Sequence, residues 1–121
     1  MRITDKIFGW LLLLSSLLHG WGSWMHYHAQ PEMLLWAEGA GLAGMLVAAL
    51  NLMRANRPQD RTLAWVSLLG CLGWLALAVD FGRLVGSLLD FRAAIHIVLA
   101  LVLAAMSLRT ALGVGRVESH A

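Results

Sequence analysis

The chain has 121 residues, of which 60% are hydrophobic and only 13% are charged, and its mean hydropathy is +0.71. A small soluble domain exposes much of its surface and carries about a quarter of charged residues, so this composition excludes an ordinary soluble fold. The net charge is +2 at pH 7, but the nine basic residues are spread along the chain, which argues against nucleic acid as a partner.

Four apolar segments follow one another along the chain. They run from about residue 7 to 25, 33 to 53, 62 to 81 and 93 to 112. At a rise of 1.5 Å per residue, each is long enough to cross a hydrocarbon core about 30 Å thick. The first segment is followed by no small-x-small cleavage site, so we expect a retained span rather than a signal peptide. The sequence therefore predicts an all-α, four-helix transmembrane bundle with up-down-up-down topology, forming a single domain over residues 1–121.

Basic residues flank the four segments unequally. Two of them, Arg83 and Arg92, fall on one predicted side of the membrane. Seven fall on the other: Arg2, Lys6, Arg54, Arg57, Arg61, Arg109 and Arg116. Because cytoplasmic loops carry the excess of Lys and Arg, we expect a multi-pass protein of the bacterial inner membrane with both termini in the cytoplasm.

The second and third segments contain small residues at helical spacing. Ala40, Gly44 and Ala48 are four residues apart, and such rows allow a neighbouring helix in the bilayer to approach closely. Packing within the bundle explains them, although a second copy of the chain or a partner membrane protein would fit the same surface. Cys71 is the single cysteine, which excludes an intrachain disulfide, and we interpret it as a small buried residue.

Each predicted helix carries one ionisable residue in its outer half. Counting from the middle of each span places these residues about 5 to 10 Å beyond the midplane; they are His19, Glu38, Asp80 and His96. The inner half is expected to hold nothing comparable. Charged groups are costly in hydrocarbon, so we expect these side chains to face the bundle interior and to pair. Helical spacing allows two ion pairs, Asp80 with Arg83 and Arg92 with His96.

Three kinds of ligand are compatible with this polar layer. His19 and His96 lie at a similar level on antiparallel helices, as the two axial ligands of a b-type haem do. All four polar residues can alternatively bind a divalent transition metal, with His26 and His28 as an outer capture point. They can also hydrogen-bond the head group of a quinone and exchange protons with it.

A purely structural function is the remaining alternative, in which the buried ion pairs fix the register of the helices. Enzymatic activity has no support in the sequence, because no nucleophile elbow and no HExxH motif occurs. We therefore expect a non-catalytic accessory or binding subunit.

Two short motifs occur in addition to the length of 121 residues and the four predicted spans. They are Leu18-His19-Gly20 late in the first segment and Glu38-Gly39-Ala40-Gly41 in the second. Together these features resemble the DoxX-like family of small four-helix bacterial membrane proteins. Members of that family are associated with quinone-linked or redox membrane systems, or have no assigned role. The resemblance implies a redox-associated function and favours a quinone over a free metal, and it assigns no catalytic residue.

Overall fold

A computed structural model describes residues 2–114 and contains four α-helices within that range. The helices are α1 (Arg2–Tyr27), α2 (Pro31–Asn56), α3 (Arg61–Leu84) and α4 (Phe91–Leu112). At 1.5 Å per residue they are about 33 to 39 Å long. The described residues contain no strand, so the all-α, four-helix prediction is confirmed. Each helix begins before the apolar segment that predicted it, and Arg116 lies outside the described residues.

The outer surface of the bundle is apolar. Large hydrophobic side chains that are about half exposed occur on every helix; examples are Leu17, Leu46, Leu69 and Leu101. An apolar surface of this extent marks a membrane or protein contact rather than a water-exposed face. Three helices, α2, α3 and α4, are long and apolar enough to cross a membrane.

The first helix is as long as the second but carries more polar residues, including Ser15, Ser16 and His19. Its place as a fourth span stays a prediction. That prediction is supported by its contact with α2, against which it packs at Gly9 and again at Gly20.

Short connectors make consecutive helices antiparallel. Pro31 occupies the first turn of α2, where a missing backbone donor costs no helical hydrogen bond. Gly113 ends α4 in the left-handed region, with φ of 72°, as glycine commonly does after a helix. The pairs α1–α2 and α3–α4 form two closely packed hairpins, and the bundle is the association of these two hairpins.

The bundle has two chemically different ends. One end is formed by the starts of α1 and α3 and the last turns of α2 and α4. Arg2, Arg57 and Arg61 lie there, and we call it the basic end. The opposite end, which contains His19 and His96, is called the histidine end. The cytoplasmic placement of the basic end stays a prediction.

The start of α3 depends on one capping side chain. Asp60 Oδ1 accepts a hydrogen bond from the Leu63 backbone N–H at 2.9 Å. Replacing Asp60 by alanine leaves that donor without a partner, so we expect the free energy of unfolding to fall by about 1 kcal/mol. Denaturation of the variant in detergent measures the loss. The neighbouring exposed residue Gln59 makes no such bond, and Gln59→Ala should leave stability unchanged within error.

Candidate functional site

Arg54 is a charged residue in the bundle interior and lies at the basic end. The sequence predicted Arg54 to be a connector residue, but α2 continues to Asn56 and brings this side chain inside the bundle, where it is 1% exposed. Its guanidinium donates two hydrogen bonds to the Asp5 carboxylate on α1, one of them from Nη1 to Oδ2 at 2.7 Å. The expectation that the inner half carries no comparable ionisable group is therefore wrong.

A network of hydrogen bonds extends from Arg54 into the bundle. Arg54 Nη2 donates to Asn51 Oδ1 at 3.1 Å, and the Ser107 hydroxyl donates to the same oxygen at 3.0 Å. Asn51 Nδ2 in turn donates to Cys71 Sγ at 3.1 Å. Thr110 accepts a bond from Arg54 at 3.3 Å. This Arg54 network links all four helices, because its members come from α1, α2, α3 and α4.

An apolar layer separates the Arg54 network from the histidine end. It consists of Leu12, Ala48, Ala100 and Leu103, each fully buried. Ala48 lies between Asn51 and Gly44 on α2, which are about 10 Å apart along the helix. The layer thus separates the polar groups of the two ends on α1, α2 and α4, whereas on α3 Cys71 and Trp74 lie one turn apart.

Two of the four predicted outer residues meet at the histidine end. The ring centroids of His19 on α1 and His96 on α4 are 6.5 Å apart, with the ring planes at 83°. Both residues are partly buried. They lie on α1 and α4, where one hairpin packs against the other.

The partners of each imidazole define its tautomer. Trp74 Nε1 lies 3.3 Å from His96 Nδ1, and since an indole N–H can only donate, His96 Nδ1 accepts and neutral His96 carries its proton on Nε2. His19 Nε2 lies 3.2 Å from the Ala37 carbonyl oxygen, which can only accept. His19 therefore has its free lone pair on Nδ1. The pair offers one hydrogen-bond donor, His96 Nε2–H, and one acceptor, His19 Nδ1.

Trp74 is a site residue that the sequence reasoning missed. It is 7% exposed, and its ring lies against His96 with centroids 5.4 Å apart. Gly44 makes room for it: a Cβ at Gly44 would stand 2.9 Å from Trp74 Cζ2 and would also collide with Ser16 Oγ. The Ser16 hydroxyl is fully buried and has no hydrogen-bond partner within residues 2–114. The signal was the small-residue row that includes Gly44, which accommodates an indole from α3.

The other two predicted outer residues do not join this cluster. Asp80 is 66% exposed and pairs with Arg83 at 3.4 Å on the outside of α3, as their spacing predicted. Glu38 is exposed and lies against α1: a methyl group added at Gly20 would be 3.2 Å from Glu38 Oε2. Glu38 is thus at the rim of the histidine cluster, which we define as His19, Trp74 and His96.

The predicted pair of Arg92 with His96 is wrong. Arg92 donates to Asp90 from Nε at 2.9 Å and from Nη2 at 3.0 Å, while His96 faces Trp74. Asp90 precedes α4, and its hydrogen bond from the Arg92 guanidinium holds the pKa of the Asp90 carboxyl below its ordinary value. The Arg92 side chain turns back toward the connector because Asp90, which caps α4, is a closer acceptor than the His96 ring one turn further along the helix.

Of the six residues proposed as metal ligands, only His19 and His96 are neighbours. His26 contacts Tyr27 edge-to-face with ring centroids 4.7 Å apart, and His28 Nδ1 donates a hydrogen bond to the Met25 carbonyl oxygen, so each is engaged locally. Among residues 2–114, no group of three or more His, Cys, Asp or Glu side chains is arranged to hold a metal ion.

A haem fits the histidine cluster poorly for a chemical reason. An axial histidine coordinates iron through a nitrogen lone pair. In His96 the hydrogen bond from Trp74 occupies the Nδ1 lone pair, and the proton then lies on Nε2. His96 thus offers a donor where iron requires an acceptor.

Comparison of the chain with protein-family models, with curated proteins and with solved structures yields no match. The DoxX-like resemblance therefore stays a prediction, and the function is argued from the geometry alone.

Proposed function

We propose that this chain is a binding subunit of the bacterial inner membrane that holds the head group of a lipid-soluble quinol between His19 and His96. The observation that carries the proposal is the approach of these two imidazoles to 6.5 Å with complementary hydrogen-bonding atoms. His19 and His96 are partly buried, so each keeps some exposed surface from which a lipid-soluble ligand in the bilayer would approach. Termini in the cytoplasm would place the cluster toward the outer leaflet.

The hydrogen-bonding pattern favours the reduced form of the ligand. A quinol hydroxyl can accept from His96 Nε2–H and donate to His19 Nδ1 at the same time. A quinone carbonyl can only accept, so it would leave the His19 lone pair without a partner. We therefore expect the quinol to bind more tightly than the corresponding quinone.

Binding is a better description than transport. The fully buried side chains of Leu12, Ala48 and Leu103 lie between the histidine cluster and the Arg54 network. A proton that reaches His19 from the histidine end meets the buried Ser16 hydroxyl one turn further in and then the apolar layer, so the polar groups on α1 end there. The cluster can therefore exchange a proton with its own side of the bilayer only.

The test is titration of the purified protein in neutral detergent with a short-chain quinol and with its quinone. We expect saturable quinol binding, with about tenfold weaker binding in His19→Leu and in His96→Leu, since each removes one hydrogen bond in a partly buried site. His26→Leu is the matched control, because His26 is exposed and lies outside the cluster, and it should bind as the unaltered protein does.

Circular dichroism of each variant checks that the helices form. An affinity for the quinone equal to that for the quinol, or an equal loss in His26→Leu, would contradict the assignment. A Soret band in the purified protein would select haem in its place.

A purely structural role is the second candidate, and the Arg54 network favours it. This network joins the four helices through a buried ion pair, and a bundle stabilised in this way needs no ligand. Quinol binding and the stability of variants separate the two candidates. The structural role is supported if no quinol binds and substitution of Asp5 or Arg54 still unfolds the bundle.

A further inference from the structure

A half-open cavity with a mixed polar and apolar wall lies at the basic end, on the far side of the apolar layer from the histidine cluster. Its volume is about 190 Å³, far more than the roughly 10–15 Å³ that accommodates one water molecule. One part of its wall is polar and comes from Arg2, Asp5, Arg54, Arg109 and Thr110. The rest is apolar and comes from Ala55, Pro58, Met106 and Val114.

The cavity carries an excess of positive charge. Its wall holds three arginines and one carboxylate, so its formal charge is +3 − 1 = +2. Asp5 is already paired with Arg54. Arg2 and Arg109 are exposed at the rim, and neither has an ion-pair partner among residues 2–114. Two guanidinium groups on α1 and α4 are therefore available to an anion that enters the cavity.

Arg54, which lines the cavity, carries an unsatisfied hydrogen-bond donor. Arg54 is 1% exposed, yet its Nε–H has no hydrogen-bond partner within the described part of the chain. Leaving a buried donor unsatisfied costs about 1–3 kcal/mol, so native structures rarely do so without a reason. The Nε atom itself is closed to solvent, so an oxygen acceptor in the cavity satisfies this donor only if the Arg54 side chain shifts when the ligand binds.

We infer that this cavity binds the phosphodiester group of an anionic phospholipid from the leaflet at the basic end. Guanidinium groups match phosphate oxygens in geometry as well as in charge. The cavity lies where the helices end, which is the depth of lipid head groups, and basic pockets between membrane helices recognise such groups. The apolar wall at Met106 and Val114 suits the glycerol and the first methylenes of a lipid better than a fully hydrated free anion.

The experiment uses the full chain in neutral detergent. Native mass spectrometry counts bound lipid during titration with phosphatidylglycerol, with phosphatidylcholine and, as the free-anion probe, with inorganic phosphate. We expect one phosphatidylglycerol per chain, bound about tenfold more tightly than phosphatidylcholine. The double variant Arg2→Gln/Arg109→Gln should lose about tenfold in that affinity. Arg57→Gln removes a charge at the same end without touching the cavity and should change the affinity less than about twofold.

Each outcome separates the possibilities. Equal losses in Arg57→Gln and in the double variant would overturn the site, because surface charge alone would then explain binding. If inorganic phosphate displaced phosphatidylglycerol when both were at the same concentration, the ligand would be free phosphate and not a lipid. Since the histidine cluster lies beyond the apolar layer, quinol affinity should be unchanged in the double variant, so failure of one proposal leaves the other standing.

Discussion

Replacing Asp5 by asparagine is expected to lower the free energy of unfolding by about 3–5 kcal/mol. The substitution leaves Arg54 charged, 1% exposed and without its carboxylate, and removing one partner of a buried ion pair carries this cost. Arg54 also donates to Asn51, so its displacement loosens the contact between α2 and α4 that runs through Ser107. Equilibrium unfolding in mixed detergent micelles measures the loss, followed by circular dichroism.

Two further variants test whether the buried charge causes that loss. Asp80→Asn removes a carboxylate from an ion pair of which both partners are mostly exposed, so it should cost less than about 1 kcal/mol. Asp5→Leu combined with Arg54→Met removes both charges and should recover much of the stability lost in Asp5→Asn. If Asp5→Asn were as stable as Asp80→Asn, the Arg54 network would not hold the helices together.

The interior position of Arg54 shows where sequence reasoning reached its limit. Three arginines between the second and third apolar segments predicted a connector, and Arg57 and Arg61 do lie at exposed positions there. Arg54 differs because α2 continues for another turn and its side chain is directed at Asp5, 49 residues earlier. Hydropathy locates the end of an apolar run, but a charged residue can extend the helix if a partner on another helix neutralises it.

At the histidine cluster, the depth of each residue was predictable from the sequence, whereas the direction of its side chain was not. Counting residues placed His19 and His96 at similar levels, and they are neighbours. Asp80 was placed at the same level, yet it points outward and pairs with Arg83. The rise per residue gives the depth, whereas rotation about each helix axis depends on which side chains pack, such as Trp74 against His96.

Gly44→Ala is expected to cost about 1–3 kcal/mol of stability and to weaken quinol binding as well. The added methyl group would lie 2.9 Å from Trp74 Cζ2 and 3.0 Å from Cη2, and a buried indole has little room to yield. If Trp74 moves, its hydrogen bond to His96 Nδ1 is strained or lost. His96 is then free to adopt the other tautomer, and the pairing of one donor with one acceptor, on which the proposed preference for a quinol depends, disappears.

Gly39→Ala on the same helix is the matched control, since nothing lies within 4 Å of a Cβ at that position. Alanine there should be neutral or should stabilise α2 by up to about 1 kcal/mol, because glycine is the poorer helix former. Unfolding midpoints and quinol affinities of the two variants together separate packing from helix propensity. If Gly44→Ala lost stability but kept the preference for quinol over quinone, Trp74 would be a packing residue alone, and selection of the reduced ligand could not depend on its hydrogen bond to His96.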